Sequence, residues 1–158
     1  MKHTLLFILV LMSFAVQAQT PEETAAKIKA MREKALQGTI KFEISGKTYV
    51  NKASIIKASK GFYVVQTFNM GTGQDYIFLP FLKLLASTQT ISTGKEDQGS
   101  CFVNGVLYKM VGKVTLVSIK GAISGSFSGS LYKSVKGVNK FETASSGAIS
   151  GSFGNLQL

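Results

Sequence analysis

Gly121-Ala122-Ile123-Ser124-Gly125-Ser126-Phe127 recurs unchanged as Gly147-Ala148-Ile149-Ser150-Gly151-Ser152-Phe153. In extended chain, successive side chains point to opposite faces. Ile123, Gly125 and Phe127 therefore share one face, and Ala122, Ser124 and Ser126 the other. The second copy divides in the same way, with Ile149, Gly151 and Phe153 against Ala148, Ser150 and Ser152. Each copy reads as a half-buried β-strand, greasy inside and hydroxylated outside. The first extends to Tyr132, adding Gly129 and Leu131 to the inner face and Ser128 and Ser130 to the outer. Glycine inside a strand weakens it, so Gly125, Gly129 and Gly151 imply something that fills the gap. Aromatic rings from neighbouring strands can do so, and Phe127 and Phe153 are the candidates. The serine faces read as solvated strand surface; the sharper alternative is a flat hydroxyl array for ice, sugar or another ordered surface.

Working outward, the same period of two fills the chain from Gly38 onward. Ile40, Phe42 and Ile44 alternate with Thr39, Lys41 and Glu43, and Ser45-Gly46-Lys47 is a turn. Thr48–Asn51 returns, and Ile55–Lys60 and Phe62–Asn69 are strands around Gly61. Met70-Gly71-Thr72-Gly73-Gln74 has turn chemistry for a reversal. Its Gly-x-Gly lacks the helix start and Gly-Lys of a phosphate loop. Asp75–Leu85 reads as an edge strand, or as a strand breaking into a short helix at Pro80, because proline cannot donate within a central strand. Ser87–Ser100 is polar loop with Ile91 its only large apolar residue. Cys101–Met110 and Val114–Ile119 are strands with Gly112-Lys113 between them, and Lys120-Gly121 is a tight turn into the first repeat. A loop around Lys136-Gly137 leads to a strand at Val138–Thr143 and then the second repeat.

Ahead of the strands the period is 3.6. Thr20 can cap a helix, Pro21 fits its first position, and Glu23 can reach back to the cap. Ala25, Ile28, Met31, Ala35 and Leu36 form an apolar stripe that ends at Gly38, with Lys27, Lys29, Arg32 and Lys34 around it. A stripe rich in alanine and without aromatics suits packing on the β domain better than lying on a membrane. No linker rich in proline or charge divides the chain. Residues 19–158 therefore read as a single β-rich domain, with a helix over 20–37 and strands over 39–158.

Residues 1–18 carry an address. Lys2 begins a short positive start, Leu5–Val16 is almost wholly apolar, and Val16-Gln17-Ala18 is a small-x-small cleavage site. The apolar run is shorter than the roughly 20 residues a membrane-spanning helix needs. The reading is a Sec-type signal peptide cleaved after Ala18, giving a periplasmic or extracellular protein. The lone cysteine, Cys101, lies far from that site, so no residue is available for lipidation and the mature chain is not lipid-anchored. One cysteine closes no intramolecular disulfide, and within Cys101-Phe102-Val103 it reads as a small buried hydrophobe.

His3 is the only histidine and leaves with the leader, which removes imidazole-based nucleophilic catalysis and histidine-ligated metal. Glu22, Glu23 and Glu33 fall on the expected helix. Glu43, Asp75, Glu96, Asp97 and Glu142 remain, and nothing in their spacing marks a catalytic pair or a calcium loop. We therefore assign no catalytic, cofactor-binding or metal residue and expect no enzyme. Without Lys2, seventeen cations exceed the eight acids by nine. Such an excess favours an anionic envelope component or polysaccharide, although dispersed lysines also serve solubility and blunt strand edges. Arginine is nearly missing and aromatics do not interleave with basic residues, so no specific nucleic-acid partner is expected.

The run Gly112-x-Val114-x-Leu116 through Ile123–Leu131 to Gly147-x-Ile149-x-Gly151-x-Phe153 resembles the endings of small exported β-sandwich proteins of Bacteroidetes-type Gram-negative bacteria, a family of unknown function. The likeness covers about 45 residues and implies fold and compartment; it transfers no catalytic residue. Many of those proteins carry a lipidation cysteine that this chain lacks. The expected fold is mainly β, an antiparallel β-sandwich or a partly open β-barrel with one N-terminal amphipathic helix. The expected role is a non-enzymatic envelope or secreted binding or structural module, with a calycin-like carrier of a small apolar ligand as the alternative. Oligomeric state is not readable.

Overall fold

The computed structural model describes residues 38–58, 61–67, 75–91, 98–119, 121–136 and 140–158, together with positions 22 and 26. The expected leader over 1–18 and, apart from positions 22 and 26, the expected helix over 20–37 fall outside them. Among the described residues nine strands follow in order: β1 (Gly38–Ile44), β2 (Lys47–Lys57), β3 (Tyr63–Thr67), β4 (Tyr76–Phe81), β5 (Thr88–Thr90), β6 (Gly99–Val103), β7 (Val106–Ser118), β8 (Ile123–Lys133) and β9 (Gly147–Leu156). Every pairing is antiparallel, and β1 pairs with both β2 and β9. Because β7 pairs with β8 as well as with β6, the ladder closes on itself. The result is an eight-stranded barrel in which sequence neighbours are spatial neighbours. β5 is an extra strand on β7.

Neither a sandwich nor a partly open barrel forms, and glycine is the physical reason. Gly112 and Gly129 face each other across β7 and β8. A β-carbon on Gly112 would stand 2.6 Å from the Gly129 Cα, and one on Gly129 would stand 2.5 Å from the Val111 carbonyl oxygen. Without side chains there, the two longest neighbours approach closely and coil. Register irregularities at Leu116/Ser118 and Ile123/Gly125 add the bend that closure requires.

Gly112-Lys113, expected as a break, therefore lies inside β7. The break falls instead at Asn104-Gly105, within what reads as one strand over 101–110. Ser45-Gly46 and Asn104-Gly105 both have positive φ at both residues, 51° and 77° in the first and 52° and 77° in the second. That is the two-residue hairpin loop whose twist matches the flanking strands. Thr48–Asn51 and Ile55–Lys57 belong to one strand, β2, rather than two. Val138–Thr143 is not a strand in its described part; Phe141 makes a single bridge to Ser134.

The polar stretch 87–100 also holds a strand. β5 pairs with Lys113–Thr115 of β7, Ile91 N donates to the Gly112 carbonyl at 2.9 Å, and Gly99 resumes opposite Met110. Ile91 and Gly99 are neighbours in space, since a β-carbon on Gly99 would meet Ile91 Cγ2 at 2.6 Å. Residues 88–91 and 99–103 therefore line one edge of β7 in succession, and Ile91 is fully buried because it faces the barrel interior. Pro80 sits within β4 but beyond the β4–β6 ladder, which covers only Tyr76–Phe78. Its missing N–H therefore costs no ladder bond there.

Inside, Ile40, Phe42, Val65, Ile77, Leu79, Phe81, Met110, Leu131 and Ile149 are among the buried side chains that form one apolar cluster. Phe42 stacks on its cross-strand partner Tyr49 with centroids 5.1 Å apart. The Tyr49 hydroxyl accepts from Asn104 Nδ2 at 3.1 Å, which ties the rim of the core to the β6–β7 turn. Thr67, the more deeply buried of the two buried polar side chains among the described residues, accepts the Ile77 N–H at 3.0 Å.

Candidate functional site, the outer wall

The repeats behave as their alternation requires. Phe127 and Phe153 are each 4% exposed, while Ser126, Ser128, Ser150 and Ser152 are exposed. The rings fill the glycine gaps reciprocally. Gly125 pairs with Phe153 and Phe127 with Gly151. A β-carbon on Gly125 would lie 2.6 Å from Phe153 Cζ, and one on Gly151 would lie 2.5 Å from Phe127 Cζ.

On the outside the two repeats stand in register. One row runs Thr88, Thr115, Ser126, Ser152, Lys41; the next runs Thr90, Lys113, Ser128, Ser150, Glu43, Thr48. With about 4.8 Å between strands and about 6.7 Å between alternate residues, this is a lattice of hydroxyls interrupted by Lys41, Lys113 and Glu43. Thr88 and Thr115 hydrogen-bond through their hydroxyls at 2.8 Å.

Further along the outer face, on β4, β6 and the other halves of β7 and β8, the wall is different. Tyr76 stacks on its cross-strand partner Phe102 at 5.7 Å, and Leu107 follows on β7. The parallel row is Phe78, Ser100, Lys109, Tyr132. These side chains point away from the core and are half-buried. The signal was present in the sequence: in 76–81 both parities are apolar, so both faces of the strand are. Aromatics and ammonium groups that do not interleave along the chain become neighbours through cross-strand register.

The described residues of the β8–β9 connection, 134–136 and 140–146, form the two limbs of an arch beside this wall. Ser134 N donates to the Leu107 carbonyl at 2.8 Å, Glu142 N to that of Lys133 at 2.9 Å, and Ser146 N to that of Leu131 at 2.7 Å. Three open depressions of ≈ 500, ≈ 580 and ≈ 540 Å³ lie on the outer surface. The first is bordered by Lys109, Val111, Tyr132, Lys140 and Phe141, and the second by Phe102, Leu107, Lys133, Val135 and Lys136; Glu142 borders both. The third lies on the hydroxyl lattice, bordered by Glu43, Ser45, Ser128 and Ser150.

Of the five acids considered from the sequence, the three described ones share no hydrogen-bond partner. Glu43 lies in the hydroxyl lattice, Asp75 accepts the Asn104 N–H at 2.9 Å, and Glu142 accepts the Ser146 hydroxyl at 3.0 Å. Glu96 and Asp97 lie outside the described residues. Among the described residues no three histidine, cysteine or acidic side chains gather as a metal site. Cys101 is fully buried, and burial pushes its thiol up to about 12, with Asp75 adding to the rise. Burial also raises the Tyr76 phenol, opposed by a hydrogen bond with Ser100. Neither group is set up as a nucleophile or base.

Among the described residues, no helix is long and apolar enough to cross a membrane. Compared with protein-family models, with curated proteins and with solved structures, the chain matches none.

Proposed function

We propose that this chain is an exported, non-enzymatic binding module that contacts an anionic envelope component or polysaccharide through its outer wall. Its leader is residues 1–18, and the mature protein starts at Gln19 in the periplasm or outside the cell, without a lipid anchor. The observation that carries the reading is the division of labour across the wall. The inner face is filled with apolar side chains, and the open depressions on the outer face are bordered by aromatics, hydroxyls and four lysines against two acids, Glu43 and Glu142. An eight-stranded barrel is just wide enough either to be filled by its own side chains or to hold one small ligand. The buried cluster of Phe42, Phe81, Met110, Phe127 and Phe153 favours the filled case over an apolar-ligand carrier.

Heparin chromatography of the mature protein tests the charge-driven contact. Retention at low salt that is released by a moderate salt increase is the expected result, because exposed ion pairs are screened over about 10 Å at 0.1 M. Flow-through at low salt would end the reading. Saturable uptake of a fluorescent fatty acid with a blue shift would replace it with the internal carrier.

A further inference from the structure

We propose that the three depressions form one track for an extended acidic polysaccharide, with Lys109, Tyr132, Lys140 and Phe141 as its central contacts. The assignment rests on the reading of the chain as a binding module for an anionic partner, and it names the site and the ligand class. The hollows are consecutive. Glu142 borders the two beside the arch, and Val111 of the first pairs with Ser130, which pairs with Ala148 of the third. A series of open hollows suits a polymer; a compact ligand is held by one enclosed cleft that buries most of its surface.

The chemistry of the track is mixed in the way an acidic sugar chain is mixed. Tyr132 and Phe141 offer ring faces to the C–H faces of pyranose units. Lys109 and Lys140 stand beside those rings, and Lys133 and Lys136 continue beyond the arch. Lysine is a compact point charge on a flexible stem, suited to carboxylates or sulfates spaced along a chain without bidentate geometry. Two acids border the track, Glu142, which accepts the Ser146 hydroxyl, and Glu43 in the third hollow, against four lysines. The third hollow contributes the hydroxyls of Ser45, Ser128 and Ser150, donors and acceptors for sugar hydroxyls. A bilayer surface would instead favour several projecting apolar side chains, whereas Phe102, Tyr132 and Phe141 are half-buried and Val135 alone among the apolar side chains named at the hollows is exposed.

Titration calorimetry at low salt tests the track with polygalacturonate, heparin, neutral dextran, oligothymidylate and anionic phospholipid vesicles as probes. The variants are Lys109→Gln/Lys140→Gln, Tyr132→Ala and its shape-preserving partner Tyr132→Phe, with Lys52→Gln/Lys57→Gln as a charge-matched control on β2, outside the track. Binding of polygalacturonate or heparin is expected to fall at least about tenfold in the groove pair and in Tyr132→Ala, the size of loss that marks a central contact. Tyr132→Phe and the control pair should stay within about threefold. Preference for polygalacturonate identifies carboxylate recognition, and preference for heparin, which carries both groups, identifies a contribution from sulfate. Equal losses in groove and control pairs would overturn the track while leaving the anionic module intact. Preference for vesicles or for the oligonucleotide would overturn the polysaccharide assignment. Failure of every anionic probe would remove both. A circular dichroism melt of each variant separates lost contacts from lost fold, and Lys109→Gln alone, an outward substitution, keeps the comparison available if Tyr132→Ala unfolds.

Discussion

A methyl group added at Gly151 would stand 2.5 Å from Phe127 Cζ and closer still to the Lys41 carbonyl oxygen. The ring can tilt, but the β1 backbone cannot easily withdraw. Gly151→Ala should therefore destabilise the protein by about 1–3 kcal/mol, the usual cost of overpacking, read as a lowered denaturant midpoint at unchanged slope. Ser152→Ala, one position away and outward, should stay within about 0.5 kcal/mol. Cys101 gives a second residue-scale expectation. Its folded pKa of about 12 lies above the value of about 8.5 for an exposed thiol. As pH rises past the lower value, the unfolded chain releases a proton that the folded chain keeps, so the unfolded state is favoured. Stability should decline between pH 9 and 12 by this route, and Cys101→Ala should flatten that decline relative to the parent. At pH 8 a thiol reagent should modify Cys101 only in denaturant.

At the scale of elements, the two hairpins with paired positive φ carry the register. Gly105 at φ 77° has open space around its missing β-carbon, so an alanine there meets conformational strain without a clash. Gly105→Ala should cost about 1 kcal/mol, measured by chemical denaturation. Asn104→Ala should cost more than a surface substitution, because its side chain holds the Tyr49 hydroxyl as well as its own positive φ. The same elements explain what was legible. Ser45-Gly46 stands between clean alternations and is readable as a turn. Asn104-Gly105 carries equally strong turn chemistry but is surrounded by apolar residues of both parities, from Cys101 to Met110, which mask the end of one strand and the start of the next. Gly112 misleads in the opposite sense: glycine usually punctuates, and here it lets two strands touch.

The whole molecule depends on closure. β9 pairs with β1 on one side and β8 on the other, joining the end of the described chain to its beginning. Removing residues 147–158 opens both ladders and strips Phe153 from its place over Gly125. Such a truncation should lose the cooperative unfolding transition seen by circular dichroism, whereas removing only Gln157 and Leu158, which lie past β9, should not. The closing contact is maximally non-local, so refolding should be slow for a domain of this size, milliseconds to seconds by stopped-flow fluorescence.

The alternation of Ile, Gly and Phe against Ser in the two repeats, the period of two from Gly38 onward, and the burial of Cys101 were determined by local chemistry, because a pleated strand sorts its side chains without reference to the rest of the chain. Which strand meets which was decided by tertiary structure alone. The hydroxyl rows, the Lys109–Tyr132 pairing and the hollows between them join residues far apart in sequence. Cross-strand register is set by turn geometry and by closure of the barrel, and no stretch of residues records it in isolation.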